Sequence, residues 1–186
     1  MEIRERKIKG VYEIILQPYL DERGFFMRTY DINVFRKAGL HRDWMQENHS
    51  RSEQKGIIRG LHFQLPPYSE TKLVRCIHGA VFDAFVDLRK GSDTFGKWDA
   101  IELSAENKKM IYIPRGLAHG FCTLTDISEV VYKVDNFYSP ENERGLLWND
   151  TDLNICWPVN KPILSEKDGN NMTLRKFIER YKGVSV

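Results

Sequence analysis

Between Gly56 and Lys72 the chain reads GIIRGLHFQLPPYSETK, which places Arg59, His62 and Lys72 around a tight Gly-Leu-His step. A guanidinium holds an anion, an imidazole takes a proton near neutral pH, and an ammonium stabilises the negative charge left behind. Together these groups suit proton abstraction beside a carbonyl. If Leu61 and Phe63 point into one sheet, His62 points to the opposite face, where a cavity would make it a base. A histidine bonded to a core neighbour is the plainer alternative for such a residue taken alone.

A second histidine, His119, lies in PRGLAHGF, where Pro114, Gly116 and Gly120 predict a stiff turn that holds it between strands. A P-x-G-x-x-H of this form also occurs around iron and other divalent metals. Here His62 is followed by Phe63 and Gln64 rather than by another histidine, and Thr123 stands four residues after His119. Too few nitrogen or carboxylate ligands remain for an ordinary site, so no metal is expected. No G-x-G-x-x-G follows a strand and no G-x-x-x-x-G-K-[ST] occurs, which leaves nicotinamide and nucleoside-triphosphate folds without support. Serine chemistry lacks its G-x-S-x-G, and no base stands beside a cysteine.

A chain of 186 residues, 41% hydrophobic and 12% aromatic, can bury a substantial core and is expected to form one domain over residues 1–186. Basic and acidic residues nearly cancel, at 28 against 26, and are interspersed, so a nucleic-acid-binding surface is not indicated. Arg59, Lys72 and Arg75 can still focus on one small anion such as a diphosphate. Cys76, Cys122 and Cys156 are far apart with no C-x-x-C and read as reduced core thiols. The amino terminus lacks the apolar stretch of a signal peptide and no run reaches membrane-spanning length, so a cytoplasmic protein is expected.

Short segments of alternating polarity, punctuated by Gly, Pro, Asn or Asp, read as strands from Lys9 to about Val134. The clearest is Val81–Arg89, with Phe82, Ala84, Val86 and Leu88 on one face and Val81, Asp83, Phe85, Asp87 and Arg89 on the other. A helix is predicted over Asp31–Leu40, with Asp31 as cap, Val34, Phe35 and Ala38 sharing a face, and Gly39 as stop. Another follows Thr173, with Leu174, Phe177, Ile178 and Tyr181 forming an apolar stripe. Many strands with little helix imply a β-sandwich or jelly roll able to hold a ligand; composition does not choose between them.

The string RGLHFQ, then KLVRC with G-x-V-x-D-x-x-VDLRKGS, TFGKW, LSAEN, IPRGLAHGF, VYKVDNFYSPENERGLLWND, ICWP and LSEKD, resembles the dTDP-4-dehydrorhamnose 3,5-epimerase family in order and spacing. The likeness runs from about Lys9 to Asp168. It implies a mainly β, cupin-like double-stranded β-helix with a few short helices, without a metal or other cofactor, and usually a homodimer. The implied substrate is a nucleotide-linked 4-keto-6-deoxy sugar on the route to dTDP-L-rhamnose. Its C3 and C5 protons are acidified by the C4 carbonyl, so each can be removed and returned from the opposite face.

Matched residue by residue, the resemblance implies that His62 is the base, oriented by Asp168; that Lys72 stabilises the enolate oxygen; and that Tyr132 is the acid. Without it, Asp168 reads as part of a Ser165 capping box, Lys72 as a solvated charge, and Tyr132 as one of the inward residues Val130, Tyr132 and Val134. Arg23, Gln46, Asn48, Arg59, His119, Tyr138, Glu143 and Lys167 match positions that contact nucleotide, diphosphate or sugar, and Phe26 offers a face to the base. An edge strand near the amino terminus would carry Arg23 and Phe26 to the other subunit's pocket.

Two positions depart from the family pattern. Arg28 stands where the DxRGxFxE run carries glutamate, which leaves a cytidine-linked or other nucleotide open. Thr71 precedes Lys72 where a small residue is usual. Double inversion is the leading reading; the residues also admit a relative that inverts C3 alone, and a sugar-nucleotide binding module without catalysis is the alternative of another class.

Overall fold

The strand expected at Val81–Arg89 forms over Ala80–Asp87 and buries both of its faces. The computed structural model describes residues 1–186. In chain order the strands are β1 (Glu2–Glu5), β2 (Tyr12–Ile15), β3 (Tyr19–Asp21), β4 (Gly24–Phe26), β5 (Gln46–Ser52), β6 (Ile58–Gln64) and β7 (Lys72–His78). They continue as β8 (Ala80–Asp87), β9 (Trp98–Ser104), β10 (Lys109–Ile113), β11 (Leu117–Thr123), β12 (Ser128–Val134) and β13 (Glu143–Gly145). The helices are α1 (Ile32–Lys37), α2 (Glu166–Gly169) and α3 (Leu174–Tyr181).

Two antiparallel sheets make the body, one of six strands in the order β1-β2-β10-β7-β12-β5 and one of five in the order β13-β6-β11-β8-β9. This is the cupin-like, mainly β architecture expected. Val74, Ile111 and Val130 from the larger sheet meet Val81, Phe85, Leu103 and Phe121 from the smaller in a shared core. Stacked sheets pack about 10 Å apart, so alternate inward residues can fill the gap or line a cavity, depending on their size.

The outer face of each sheet is covered too, which is why few strands show a simple polar face. Ala84 and Val86 of β8 and Leu88 just after it join Leu61 and Phe63 of β6 under the carboxyl-terminal segment, where Phe177 of α3 stacks edge-on to Phe63 at 5.4 Å. Burying a side chain of that size contributes about 2–3 kcal/mol. On the other side, Phe35 of α1 packs with Ile14, Leu73, Met110 and Tyr112.

Local signals placed both helix starts, while α1 ends at Lys37, short of the Leu40 expected. Asp31 accepts hydrogen bonds from the amides of Asn33 and Val34, and Thr173 accepts from that of Lys176. Gly39 follows the end of α1 with φ +72°, a left-handed conformation that suits glycine. The apolar stripes are narrower than expected. Only Phe35 of α1 is buried, with Val34 37% exposed, and Ile178 of α3 is 40% exposed. Tyr181 leans on Phe177 instead and takes a hydrogen bond from Arg144, so the docked face of α3 ends there.

Three further expectations need correction. Strands extend beyond Lys9 to Val134: the charged segment of β1 pairs with β2, and β13 pairs with β6, because neighbouring strands supply the partners their own patterns do not announce. His119 does not sit on a turn, since β11 begins at Leu117 and only Arg115 and Gly116 turn. Cys76 and Cys122 are buried, and burial pushes each thiol up to about 11, but Cys156 is exposed rather than a core thiol. No helix is long and apolar enough to cross a membrane.

Candidate active site

Alternation along β6 sets the site. Leu61 and Phe63 face the outer cluster, which turns His62 and Gln64 to the inner side. Next to them the paired strands β6 and β11 come so close, at an irregularity in their register, that a Cβ on Gly60 would lie 2.6 Å from the Gly120 Cα, and one on Gly120 would lie 2.7 Å from the Arg59 carbonyl oxygen. Only glycine fits at both positions. The pairing puts His119 directly opposite His62 in the strand register.

Each histidine has its own carboxylate. His62 Nε2–H donates to Asp168 Oδ1 at 2.5 Å, and His119 Nε2–H donates to Asp83 Oδ2 at 2.8 Å. Asp168 arrives on α2, where Ser165 caps the helix by accepting from the Asp168 amide at 3.1 Å. The capping reading of this segment is therefore correct for Ser165, while the Asp168 carboxylate turns to the imidazole. Burial alone would raise the Asp168 pKa. The hydrogen bond and charge of His62, with the Gly60 amide and Ser165, outweigh it and hold the carboxyl below the usual aspartate value. With Nε2 committed to Asp168, Nδ1 of His62 is the nitrogen left to act as a base.

Arg59, His62, Lys72, His119, Tyr132, Lys167 and Asp168 line one cavity of about 450 Å³. Gln46, Asn48, Tyr138 and Glu143 line an adjoining one of about 240 Å³, which shares His62, Lys72 and Tyr132 with the first. These residues come from both sheets: His62 and His119 from the five-stranded one, Lys72 and Tyr132 from the six-stranded one facing it. The Lys72 ammonium stands 5.6 Å from the centre of the Tyr132 ring. At the mouth, Tyr138 donates to Glu143 Oε2 at 2.7 Å and Lys167 donates to the same oxygen. The Glu143 hydrogen bond raises the pKa of both Tyr138 and Lys167. Gln46 accepts from the Tyr138 amide at 2.9 Å, tying β5 to this loop.

Arg23 and Phe26 are not brought to these cavities. They lie on the β3–β4 hairpin, a separate two-stranded sheet with Arg23 paired to Asp21 at 2.6 Å and Phe26 65% exposed. A larger hollow of about 690 Å³ runs beside the hairpin, but Phe25, Phe26, Arg75 and Lys108 on its walls bring no acid–base set together. Arg28, at the hairpin's base, stands 3.7 Å from Asp31 and is largely exposed.

Sequence reading missed two groups. Glu70 bonds to Lys72 at 2.5 Å, and Asp83 holds His119; the E-x-K spacing was the only signal for the first, and the inward phase of β8 for the second. No group of three or more His, Cys, Asp or Glu is arranged to hold a metal ion.

Comparison with known proteins decides the family. The model of the dTDP-4-dehydrorhamnose 3,5-epimerase family matches residues 5–176. The chain belongs to that family. The enzyme of that name from Shigella flexneri is 53% identical over 169 residues, covering 89% of this chain and 91% of its own. The Legionella pneumophila dTDP-6-deoxy-D-glucose-3,5-epimerase, solved with dTDP-4-keto-L-rhamnose, superposes with a TM-score of 0.89 at 39% identity over 94% of this chain and 93% of that one. A 3'-monoepimerase from Streptomyces bikiniensis, solved with dTDP-quinovose, gives 0.90 at 33% identity over 97% and 91%. This epimerase is therefore an isomerase of nucleotide-linked sugars, with the relatives' fold across the whole body.

Proposed function

We propose that this epimerase inverts C3 and C5 of dTDP-4-dehydro-6-deoxy-D-glucose to give dTDP-4-dehydro-L-rhamnose by proton transfer between two facing walls. The observation that carries this reading is the placement of His62, bonded to Asp168 of α2, on one sheet and of Tyr132 with Lys72 on the other, across one cavity. Inversion requires a proton to leave one face of a carbon and return to the other, and groups on opposite walls supply both faces.

His62 Nδ1 takes the proton from the carbon beside the C4 carbonyl. The electron pair of the C–H bond moves into the ring as an enolate whose charge falls on O4, and Asp168 stabilises the imidazolium. Lys72 has one hydrogen bond, to Glu70, so two of its three N–H directions remain for O4. Tyr132 then protonates the carbon from the other wall, and solvent carries a proton from the imidazolium back to the phenolate. Proton off and proton on leaves the oxidation state unchanged, so the balance calls for no hydride carrier. Arg59 and Lys167 suit the diphosphate, Arg59 through its fork of donors, and Gln46, Asn48, His119, Tyr138 and Glu143 suit the sugar and nucleoside.

The assembly that fits this site is a homodimer. Tyr19, Leu20, Phe25 and Phe26 on the hairpin are 54–79% exposed, and Arg23 and Phe26 complete a nucleotide site only if the hairpin reaches a second subunit. Arg28 would then stand beside the substrate's nucleobase. A mixture of R23A and H62N proteins, each impaired alone, is expected to regain activity through mixed dimers with one intact site; mixing without recovery would refute the shared site.

The activity is tested by proton NMR of the dTDP-linked ketosugar in deuterated buffer. Deuterium entering C3 and C5 with inversion is expected. Entry at C3 alone would replace this reading with a 3-epimerase, and no exchange would show that Arg28 directs the site to another nucleotide or that the protein binds without turnover.

A further inference from the structure

Glu70 lies in the loop before β7 with only 10% of its side chain exposed, and both of its oxygens are engaged. Oε1 accepts from the Lys72 ammonium at 2.5 Å and Oε2 from Gln64 Nε2 at 2.9 Å. Gln64 is 3% exposed and cannot turn away, because its own Oε1 accepts the Ser139 amide at 2.6 Å while Nε2 also reaches the carbonyls of Tyr68 and Phe137 at 3.0 and 3.1 Å. A buried glutamine held at both ends thus fixes a buried carboxylate, which in turn fixes the end of a four-carbon side chain.

We propose that Glu70 is the positioning residue for Lys72, and that through Gln64 it registers the ammonium against the loop carrying Tyr138. This rests on the reading of Lys72 as the group that stabilises the enolate oxygen. A lysine has four rotatable bonds and, left alone over the cavity, would spread its charge over many positions. Glu70 and Gln64 remove that freedom before substrate arrives, and a fixed donor stabilises developing charge without reorganising at the moment of reaction. Because Gln64 sits two residues from His62 on the same inner face of β6, the clamp also ties the ammonium to the strand that carries the base.

The test is a double-mutant cycle on purified full-length enzyme with the dTDP-linked ketosugar, using K72A, E70A and the isosteric, uncharged E70Q. E70A is expected to lower kcat about 10- to 100-fold with KM changed less than about 3-fold, E70Q to act in the same direction, and E70A to have no further effect once Lys72 is alanine. Thermal unfolding followed on each variant identifies any that fails to fold. Unchanged kcat in both Glu70 variants, or a full further loss from E70A in the K72A background, would overturn the positioning role while leaving Lys72 in place. Full activity in K72A would instead remove the reading of Lys72, and the proposal with it.

Discussion

Replacing His62 by asparagine is expected to lower kcat by about 10³- to 10⁴-fold while the protein stays folded, a loss of about 4–5 kcal/mol of transition-state stabilisation. Asparagine is the informative substitution because Asp168 is only 4% exposed. Alanine would leave that carboxylate facing a methyl group, whereas asparagine keeps a polar amide in the pocket; its nitrogen overlays ring Nδ1, and glutamine, whose nitrogen reaches the Nε2 position, is the companion variant that keeps the hydrogen bond to Asp168. Steady-state turnover and the deuterium exchange at C3 and C5 are both read. Each should collapse, since the base is lost before either carbon can open. Exchange at the wild-type rate would move the base elsewhere, and His119, opposite His62 in the register, would be the next residue to replace.

Tyr132→Phe is expected to separate exchange from inversion. His62 remains able to take a proton and, once exchanged with solvent, to return deuterium from its own side. What the variant lacks is the donor on the facing sheet. Inversion should fall by about 10²- to 10³-fold while exchange with retention persists at one or both carbons. The substitution removes one oxygen and keeps the ring that packs against the shared core, so folding is not at issue. Proton NMR in deuterated buffer reports both rates in one experiment. Equal loss of exchange and inversion would show that Tyr132 acts before the enolate forms; full inversion would assign the acid to another group.

The two variants probe one consequence of the proposed mechanism, that a single reaction draws on both sheets. Lys72 and Tyr132 are brought together by the pairing of β7 with β12, and His62 is set against them by the packing of the second sheet. Glu70 and Gln64 then link the walls at the mouth through Lys72 and the loop around Phe137 and Ser139.

The sequence by itself determined what depends on near neighbours. Asp31 and Thr173 cap their helices because a side-chain oxygen reaches amides only two or three residues on. The phase of Val81–Arg89 and the inward turn of His62 between Leu61 and Phe63 follow from the two-residue period of a strand. The ordered motifs from RGLHFQ to LSEKD named the family, and through it proposed Asp168, Lys72 and Tyr132 for roles that their spacing alone does not give. Only the tertiary structure decided contacts between distant segments. Asp168 meets His62 across 106 positions, with its amide on the Ser165 hydroxyl and its carboxylate turned to the ring. Asp83 reaches His119 only because β8 and β11 are neighbours, and the far oxygen of Glu70 meets Gln64 of β6 across the loop between β6 and β7. Arg23 and Phe26 fall outside the cavity of their own chain because the β3–β4 hairpin pairs with neither large sheet. Spacing along a chain fixes which face a side chain takes. Which other face it meets is set by the pairing and packing of strands, whose free energy comes from the whole core rather than from the residues that meet.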